Sequence, residues 1–267
     1  MMQEITINKI DDLFPLLKEN RLLLYRGLSD ASYTLKTSLY RSVYNNLRTE
    51  RSILRNFAKY AANIDSHFED TSTFAIWRQM VLGQHHGLPT RLLDWSQSPL
   101  VGLFFAVNYH VPDNKDKETE KSKSCALWQI DPWEINFMYP DKYKNILRDE
   151  LFFTLKMLED NEITLDEVDE NGIPILMEPP SIDQRIINQY SCFAVLPAGV
   201  EDMEDFLRRT NNSVKYIIPS NLHIEIGRML DICNVGERVL FPGLDGVCMN
   251  IARYKRRYTD RPYGDKN

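Results

Sequence analysis

The sequence predicts an α+β fold, in which short apolar strands and longer amphipathic helices share one core. Apolar residues recur at helical spacing over Leu47 to Phe68 and Thr73 to His86, which buries one face of each helix. Short apolar runs bounded by breaking or polar residues predict strands at Arg21 to Gly27, Cys125 to Ile130, Phe193 to Val195 and Val214 to Pro219. With 267 residues, 43% of them hydrophobic, the chain can bury a large core, and we expect one domain over residues 1–267.

The other elements follow from the same periodicities. The spacing of apolar residues predicts helices over Ile10 to Glu19, over most of Trp133 to Leu158, over Leu222 to Cys233 and from about Val247 into Tyr258. Tyr33 to Arg41 alternates enough for a strand or an extended loop. Asp113 to Lys123 has no apolar side chain and predicts a solvated loop.

Charge and composition exclude several classes of protein. The formal net charge of -6 argues against strong general nucleic-acid affinity, which requires clustered lysine and arginine. No apolar stretch is long enough to span a bilayer, and the first ten residues lack a basic region followed by an apolar run, so we expect a cytoplasmic protein without membrane contact. The four cysteines are widely separated, which predicts reduced, mostly buried thiols and no local zinc site.

Two charged segments have ordinary explanations. Glu167 to Glu178 approaches a calcium loop, but it begins with Glu and contains Pro174, so an acidic surface turn is the better interpretation. Four basic residues crowd the end of the last helix, where they complement the helix dipole: Arg253, Lys255, Arg256 and Arg257.

The densest run of unusual residues is Gln84 to Ala106, QHHGLPTRLLDWSQSPLVGLFFA, and we expect the functional site there. Gly87 can adopt a positive φ and end one helix, whereas Ser98 and Pro99 suit the N-cap and first position of the next. The extended segment between these helices, Thr90 to Trp95, would present polar side chains at a rim.

Each candidate residue in this run also has a structural interpretation. Arg91 and Asp94 either face a ligand or form an ion pair that locks the loop. Trp95 suits core packing as well as stacking on a ligand. Of the adjacent His85 and His86, only one can point into a given site.

Two further segments carry candidate residues. Tyr25, Arg26 and Gly27 end the first predicted strand, where Arg26 places a cation at the sheet edge beside a glycine that lets a ligand or another backbone come close. Arg26 could equally form an ion pair that pins the strand end. A helical turn carrying Arg185 and Gln189 precedes the strand through Phe193.

Together these segments resemble the FRG domain family over about residues 20–252. The matching residues are Tyr25-Arg26-Gly27, the run from Gln84 to Trp95 with Phe104-Phe105-Ala106, then Arg185, Ile186, Gln189 and Phe193, and finally Phe241, Pro242, Leu244, Asp245 and Gly246. The chain departs from the family pattern at Tyr190, Ser191 and Cys192, where many members have glycine before the phenylalanine.

The order of motifs is also distantly similar to ADP-ribosyltransferases, which implies a mixed, split β-sheet core surrounded by helices. The resemblance implies an enzyme that uses NAD as substrate, either an ADP-ribosyltransferase or an NAD glycohydrolase. Arg26 would bind the pyrophosphate, Thr90 and His85 would position the ribose, and Trp95 or Tyr25 would stack on nicotinamide, beside Gly27 and Arg91. Asp94 or Gln189 would face the anomeric carbon, since the transferases' catalytic Glu has no clear counterpart.

Two other functions stay open. The same rim could recognise a nucleotide or a nucleic-acid end without catalysis, as a module of a bacterial or phage conflict or defence system. A metal-dependent hydrolase or nuclease could instead use Asp94, Asp245 and His85 around magnesium or manganese. The acceptor, whether protein or nucleic acid, is not indicated by the sequence.

Overall fold

The computed structural model describes residues 2–42, 46–64, 75–107, 123–181, 183–210 and 213–258, the last five without side chains. Within these ranges the strands are β1 (Gln3–Thr6), β2 (Leu24–Leu28), β3 (Leu92–Ser96), β4 (Cys125–Ile130), β5 (Ile175–Met177), β6 (Ser191–Val195) and β7 (Val214–Ile218). They form one mixed sheet in the order β1-β7-β4-β2-β3-β6-β5. Only β1 and β7 pair in parallel; each of the other neighbours is antiparallel.

Helices connect the strands throughout the described ranges. They are α1 (Phe14–Lys18), α2 (Ser38–Arg41), α3 (Leu47–Ala61), α4 (Ala75–His85), α5 (Pro99–Val107), α6 (Pro132–Asn136), α7 (Asp141–Leu147), α8 (Leu155–Asp160), α9 (Leu165–Asn171), α10 (Gln184–Asn188), α11 (Met203–Leu207), α12 (His223–Ile232), α13 (Glu237–Leu240) and α14 (Leu244–Tyr258). The predicted α+β class is confirmed. No helix in these ranges is both long and apolar enough to cross a membrane.

Alternation along the central strand sorts the core into two clusters, one on each face of the sheet. In β4, Ala126 and Trp128 belong to the larger cluster, which α3, α4 and α6 to α9 complete. Cys125 and Leu127 belong to the smaller one, completed by α1, α5, α12 and α13. The sheet is therefore buried between two helical layers.

The sheet is divided between β2 and β3. Five residue pairs join β2 to β4 and five join β3 to β6, whereas β2 and β3 pair only through Tyr25 and Ser96. Beyond that pair the backbones separate, and the Nη1 of Arg26 donates to the Asp94 carbonyl. An opening in the middle of the sheet results.

Gly27 lies where α5 crosses β2. A Cβ on Gly27 would meet the Gly102 carbonyl oxygen at 2.1 Å and the Ala106 nitrogen at 2.4 Å, both backbone atoms. On the helix side, a Cβ on Gly102 would lie 3.0 Å from the Cβ of Tyr25. Of the two partners that the sequence allowed for Gly27, the other backbone is the one in contact.

Several predicted elements differ in detail. Gly87 has the expected positive φ of 90°, and Ser98 caps α5. Tyr33 to Arg41 ends in the short helix α2 instead of a strand, because Thr37 accepts from the Tyr40 amide as an N-cap. Trp133 to Leu158 contains two helices and the start of a third, and the last helix begins at Leu244. The predicted loop at 113–123 lies outside the described residues except for Lys123.

The cysteines divide evenly: Cys125 and Cys192 are buried, while Cys233 and Cys248 are exposed, and all four are free thiols. The prediction of mostly buried thiols therefore holds for two of them. Burial raises the pKa of the Cys125 thiol to about 12.

The two charged segments take part in the packing. Glu167 accepts from Lys142 at 2.8 Å, and Asp169 accepts from the Ala198 amide at 2.7 Å. Arg253 is 10% exposed and binds Asp231 and Glu237 at 2.8 and 2.6 Å, so it fastens α14 to α12 and α13. Its role is thus a specific ion pair and not the helix dipole alone.

Candidate functional site

A cavity of about 510 Å³ occupies the opening between β2 and β3. Its volume falls in the usual range for small-molecule sites. Charged, hydroxyl, amide and aromatic side chains share the wall. They include Arg26, Arg41, Arg185, Asp94, Gln84, Gln189, Ser29, Ser96, Ser191, Tyr25, Tyr33, Trp95 and Phe105.

Arg26 and Asp94 face each other across the division of the sheet. The Nη1 of Arg26 lies 3.7 Å from a carboxylate oxygen of Asp94, in addition to its bond with the Asp94 carbonyl. The side chain of Arg26 is 15% exposed and that of Asp94 is 62% exposed. Among the residues that the structure describes, the buried Nε of Arg26 has no hydrogen-bond partner, so one donor of this guanidinium is unsatisfied.

Burial lowers the pKa of Arg26, and the nearby charge of Arg41 lowers it further, whereas Asp94 opposes both effects. Arginine stays protonated at physiological pH despite such a shift. The cavity therefore contains a partly desolvated permanent cation.

A hydrogen-bonded chain holds the carboxylate of Asp94. Gln84 Nε2 donates to Asp94 Oδ1 at 2.7 Å, and Thr90 Oγ1 donates to Gln84 Oε1. Because Thr90 Oγ1 already accepts from the Leu92 amide, its proton is directed at the glutamine, which fixes the amide orientation. Thr90 itself is fully buried and does not line the cavity, so its predicted contact with a ribose is not supported.

Arg91 is also fully buried, and it points away from the cavity. It binds Glu50 with its backbone amide and its Nε, both at 2.7 Å, and Asp169 with Nη1 at 2.6 Å. The proposed pairing of Arg91 with Asp94 is therefore wrong, and Arg91 does not line the cavity. The physical reason is that these two distant carboxylates neutralise the guanidinium inside the core.

His85 does not line the cavity either. Its Nε2 lies 2.9 Å from a carboxylate oxygen of Asp183, whose other oxygen caps α10 by accepting from the Arg185 amide. Asp183 has a lowered pKa, first because of that amide and then because of His85. His85 thus connects the end of α4 to the start of α10.

Tyr25 and Trp95 border the cavity but are only 3% and 2% exposed, packed into opposite core clusters. Core packing is the main role of Trp95. Neither ring offers an open face of the size that stacking on nicotinamide requires. Tyr33, which the sequence did not single out, is 53% exposed at the same wall.

Gln189 reaches the cavity from the C-terminal end of α10. Its Nε2 donates to the Leu240 carbonyl at 2.9 Å, and its backbone carbonyl accepts from the Ser96 hydroxyl. Asn188 donates to the Val239 carbonyl at 2.6 Å, so two side chains tie α10 to α13. Of the predicted catalytic residues, Arg26, Asp94 and Gln189 thus line one cavity, whereas Thr90 does not.

Arg41 and Arg185 are site residues that the prediction omitted or left without a role. Arg185 could have been found from the sequence, since it is one of the residues that match the FRG family pattern. Arg41 had no such signal, because it ends a run that the sequence predicted to be extended.

The proposed metal site is not supported. His85 is bound to Asp183, and Asp245 does not line the cavity with Asp94. Across the described ranges, no three His, Cys, Asp or Glu side chains are grouped closely enough to bind a metal ion.

The fold and the cavity define a mixed α+β protein with a cationic opening in a divided sheet. Residues 21–115 match the family model of the FRG domain, which supports the family that the motifs indicated. That segment includes Tyr25-Arg26-Gly27 and the whole run from Gln84 to Ala106, but not Arg185, Gln189 or Phe241. No curated protein and no solved structure matched the chain.

Proposed function

We propose that the opening between β2 and β3 binds NAD, and that the protein cleaves its nicotinamide glycosidic bond to transfer or release ADP-ribose. The observation that carries this proposal is the cavity wall, where the permanent cation of Arg26 lies beside the exposed carboxylate of Asp94. A dinucleotide needs both, since its phosphates are anions and its anomeric carbon becomes cationic during cleavage.

The groups around this pair suit the rest of such a ligand. Arg26 offers its unpartnered Nε to a phosphate oxygen. Gln189 uses its amide nitrogen on Leu240, which leaves Oε1 to accept from a ribose hydroxyl. The exposed ring of Tyr33 provides a surface on which a base can stack.

Asp94 would act by electrostatics. The bond from the ribose C1′ to the nicotinamide nitrogen breaks, and nicotinamide leaves as a neutral molecule with the electron pair. The ribose then carries an oxocarbenium charge that the carboxylate stabilises. Water or an acceptor nucleophile forms the new bond to C1′ and loses a proton. Gln84, held by Thr90, keeps the carboxylate oriented throughout.

The test is to incubate the purified protein with NAD and to measure nicotinamide release, with NAD affinity determined by calorimetry. We expect Asp94→Asn to bind NAD but to lose most turnover, and Arg26→Ala to lose binding while its circular dichroism stays native. Asp245→Asn is the matched control, because this carboxylate does not line the cavity. Unchanged NAD affinity in Arg26→Ala would overturn the proposal.

A second candidate is noncatalytic nucleotide recognition. It is favoured by the contacts of Asp94, whose carboxylate already accepts a hydrogen bond from Gln84 and lies beside the cation of Arg26. In that case the protein would bind NAD or another nucleotide, the Arg26→Ala variant would lose binding, and nicotinamide would not be released by the wild type.

A further inference from the structure

The cavity holds more positive charge than its carboxylate can offset. Three guanidinium groups line it, and Asp94 is the one carboxylate among the described residues of its wall. Arg26 is paired with Asp94. Arg41 and Arg185 form no salt bridge with the described residues, although Asp183 acts on Arg185 electrostatically. Neither guanidinium therefore has a directly bonded carboxylate in the part of the chain that the structure describes.

Arg185 is held in place by an aromatic support. Its guanidinium carbon lies 4.8 Å from the ring centroid of Phe241. The Phe241 ring packs in turn against Phe104 and Phe105 of α5, with centroids 6.3 and 6.1 Å away. This cation–π contact fixes the position of the guanidinium, so Arg185 is in place for an anion before one binds.

Arg41 lines the same cavity from a different element, the short helix α2. It ends α2, whose position is set by Leu39 and Ser38, both of which donate to the Thr90 carbonyl. The charge of Arg41 acts on Arg26, which places the two cations in the same electrostatic environment. An anion that binds between two neighbouring cations offsets their mutual repulsion.

We infer that Arg41 and Arg185 form a pyrophosphate subsite at the mouth of the cavity, so that the ligand is one with two adjacent phosphates. This inference rests on the proposed function and assigns the residues that contact the phosphates of its ligand: the two guanidinium groups match the doubly charged pyrophosphate of a dinucleotide. A nucleoside or a neutral sugar would leave both charges unsatisfied.

The test compares Arg41→Gln and Arg185→Gln with the wild type by calorimetry, using inorganic pyrophosphate, ADP-ribose and adenosine as separate ligands. We expect each variant to bind pyrophosphate and ADP-ribose at least about tenfold more weakly, as the loss of a charge-assisted hydrogen bond predicts. Adenosine binding should stay unchanged. Arg208→Gln is the control, because this exposed arginine pairs with Glu204 on α11 outside the cavity.

The Phe241→Leu variant tests how much the orientation of Arg185, as distinct from its charge, contributes to binding. It removes the aromatic support but no charge, so we expect a smaller loss of pyrophosphate affinity than in Arg185→Gln. Thermal unfolding of every variant shows whether the fold is intact.

The outcomes distinguish this inference from the proposed function. Pyrophosphate binding that depends on Arg41 and Arg185, without any NAD binding, supports the subsite and removes NAD as the ligand. NAD binding that is as tight in both variants as in Arg208→Gln overturns the subsite and leaves the proposed function standing. A wild type that binds no pyrophosphate also overturns the subsite.

Discussion

Arg26 and Asp94 meet where β2 and β3 separate. The guanidinium of Arg26 donates to the backbone carbonyl of Asp94, in the place where the next backbone hydrogen bond between the two strands would form. The arginine replaces a ladder contact with a side-chain contact. It therefore stabilises the divided sheet, while its buried Nε has no partner among the described residues.

Gly27→Ala should destabilise the protein, because the added methyl would enter the backbone of α5 at Gly102 and Ala106. Backbone atoms cannot move aside cheaply, so we expect a loss of about 1–3 kcal/mol or more in the free energy of unfolding, measured in urea. Gly83→Ala is the control, since its new methyl meets only the flexible side chains of Leu88 and Leu54. Equal stability of the two variants would contradict the close contact.

Glu50→Gln should be strongly destabilising. Glu50 and Arg91 are both fully buried, and the substitution leaves the guanidinium with Asp169 as its one charged partner among the described residues. Removing one partner of a buried pair costs about 3–5 kcal/mol. Asp166→Asn breaks the neighbouring exposed pair with Arg51 and should cost less than about 1 kcal/mol. Chemical denaturation of both variants measures the difference, and similar small losses would refute the structural role of Arg91.

Gln84→Ala should reduce turnover more than affinity, if the protein cleaves NAD as proposed. The substitution releases the Asp94 carboxylate from its amide donor, and we expect kcat for nicotinamide release to fall about tenfold or more with little change in KM. Thr90→Ser keeps the hydroxyl that orients Gln84 and should retain activity. Gln184→Ala, which lies outside the cavity, controls for loss of an amide. A rise in KM with unchanged kcat would contradict the positioning role.

Asp30 should make stability depend on pH in the acid range. Hydrogen bonds from the hydroxyl and amide of Ser32, and then from Lys123, lower its pKa from 3.8 to about 2. Because the folded pKa is below the unfolded one, the stabilisation is present above about pH 4 and is lost as the pH falls through 3.8 toward 2.

We therefore expect Asp30→Asn to be about 1–2 kcal/mol less stable than the wild type at pH 7, with the difference disappearing near pH 2. Denaturation curves across this range measure it. Asp11→Asn is the control, since the one ion pair of Asp11 among the described residues is the exposed contact with Lys9 at 3.5 Å. A difference for Asp30→Asn that does not change with pH would exclude this linkage.

Local pattern was sufficient to predict much of the fold. The strands β2, β4, β6 and β7 were each predicted near their true positions from short apolar runs, and β3 falls in a segment that was predicted to be extended. In contrast, β1 and β5 were missed. Gln3–Thr6 is polar and mostly exposed at a sheet edge, and Ile175–Met177 is only three residues long, so neither shows a period.

Site residues could be predicted where a local sequence motif marks them. They could not be predicted where their role depends on partners far away in the sequence. Arg26 and Asp94 stand in recognisable motifs, whereas Arg91 was given the nearest acid as its partner. Its real partners, Glu50 and Asp169, lie 41 and 78 residues away in the chain. A single sequence does not contain such pairings, because they depend on how helices α3 and α9 pack around the sheet.

The division of the sheet determines which parts of the chain depend on one another. The segment that matches the FRG domain, 21–115, contributes β2 and β3, yet these two strands share a single residue pair. Their long ladders are with β4 and β6, which follow that segment in the chain. The recognisable portion is therefore not a self-sufficient folding unit: excised alone, it would have two nearly unpaired strands with bare edges, prone to self-association.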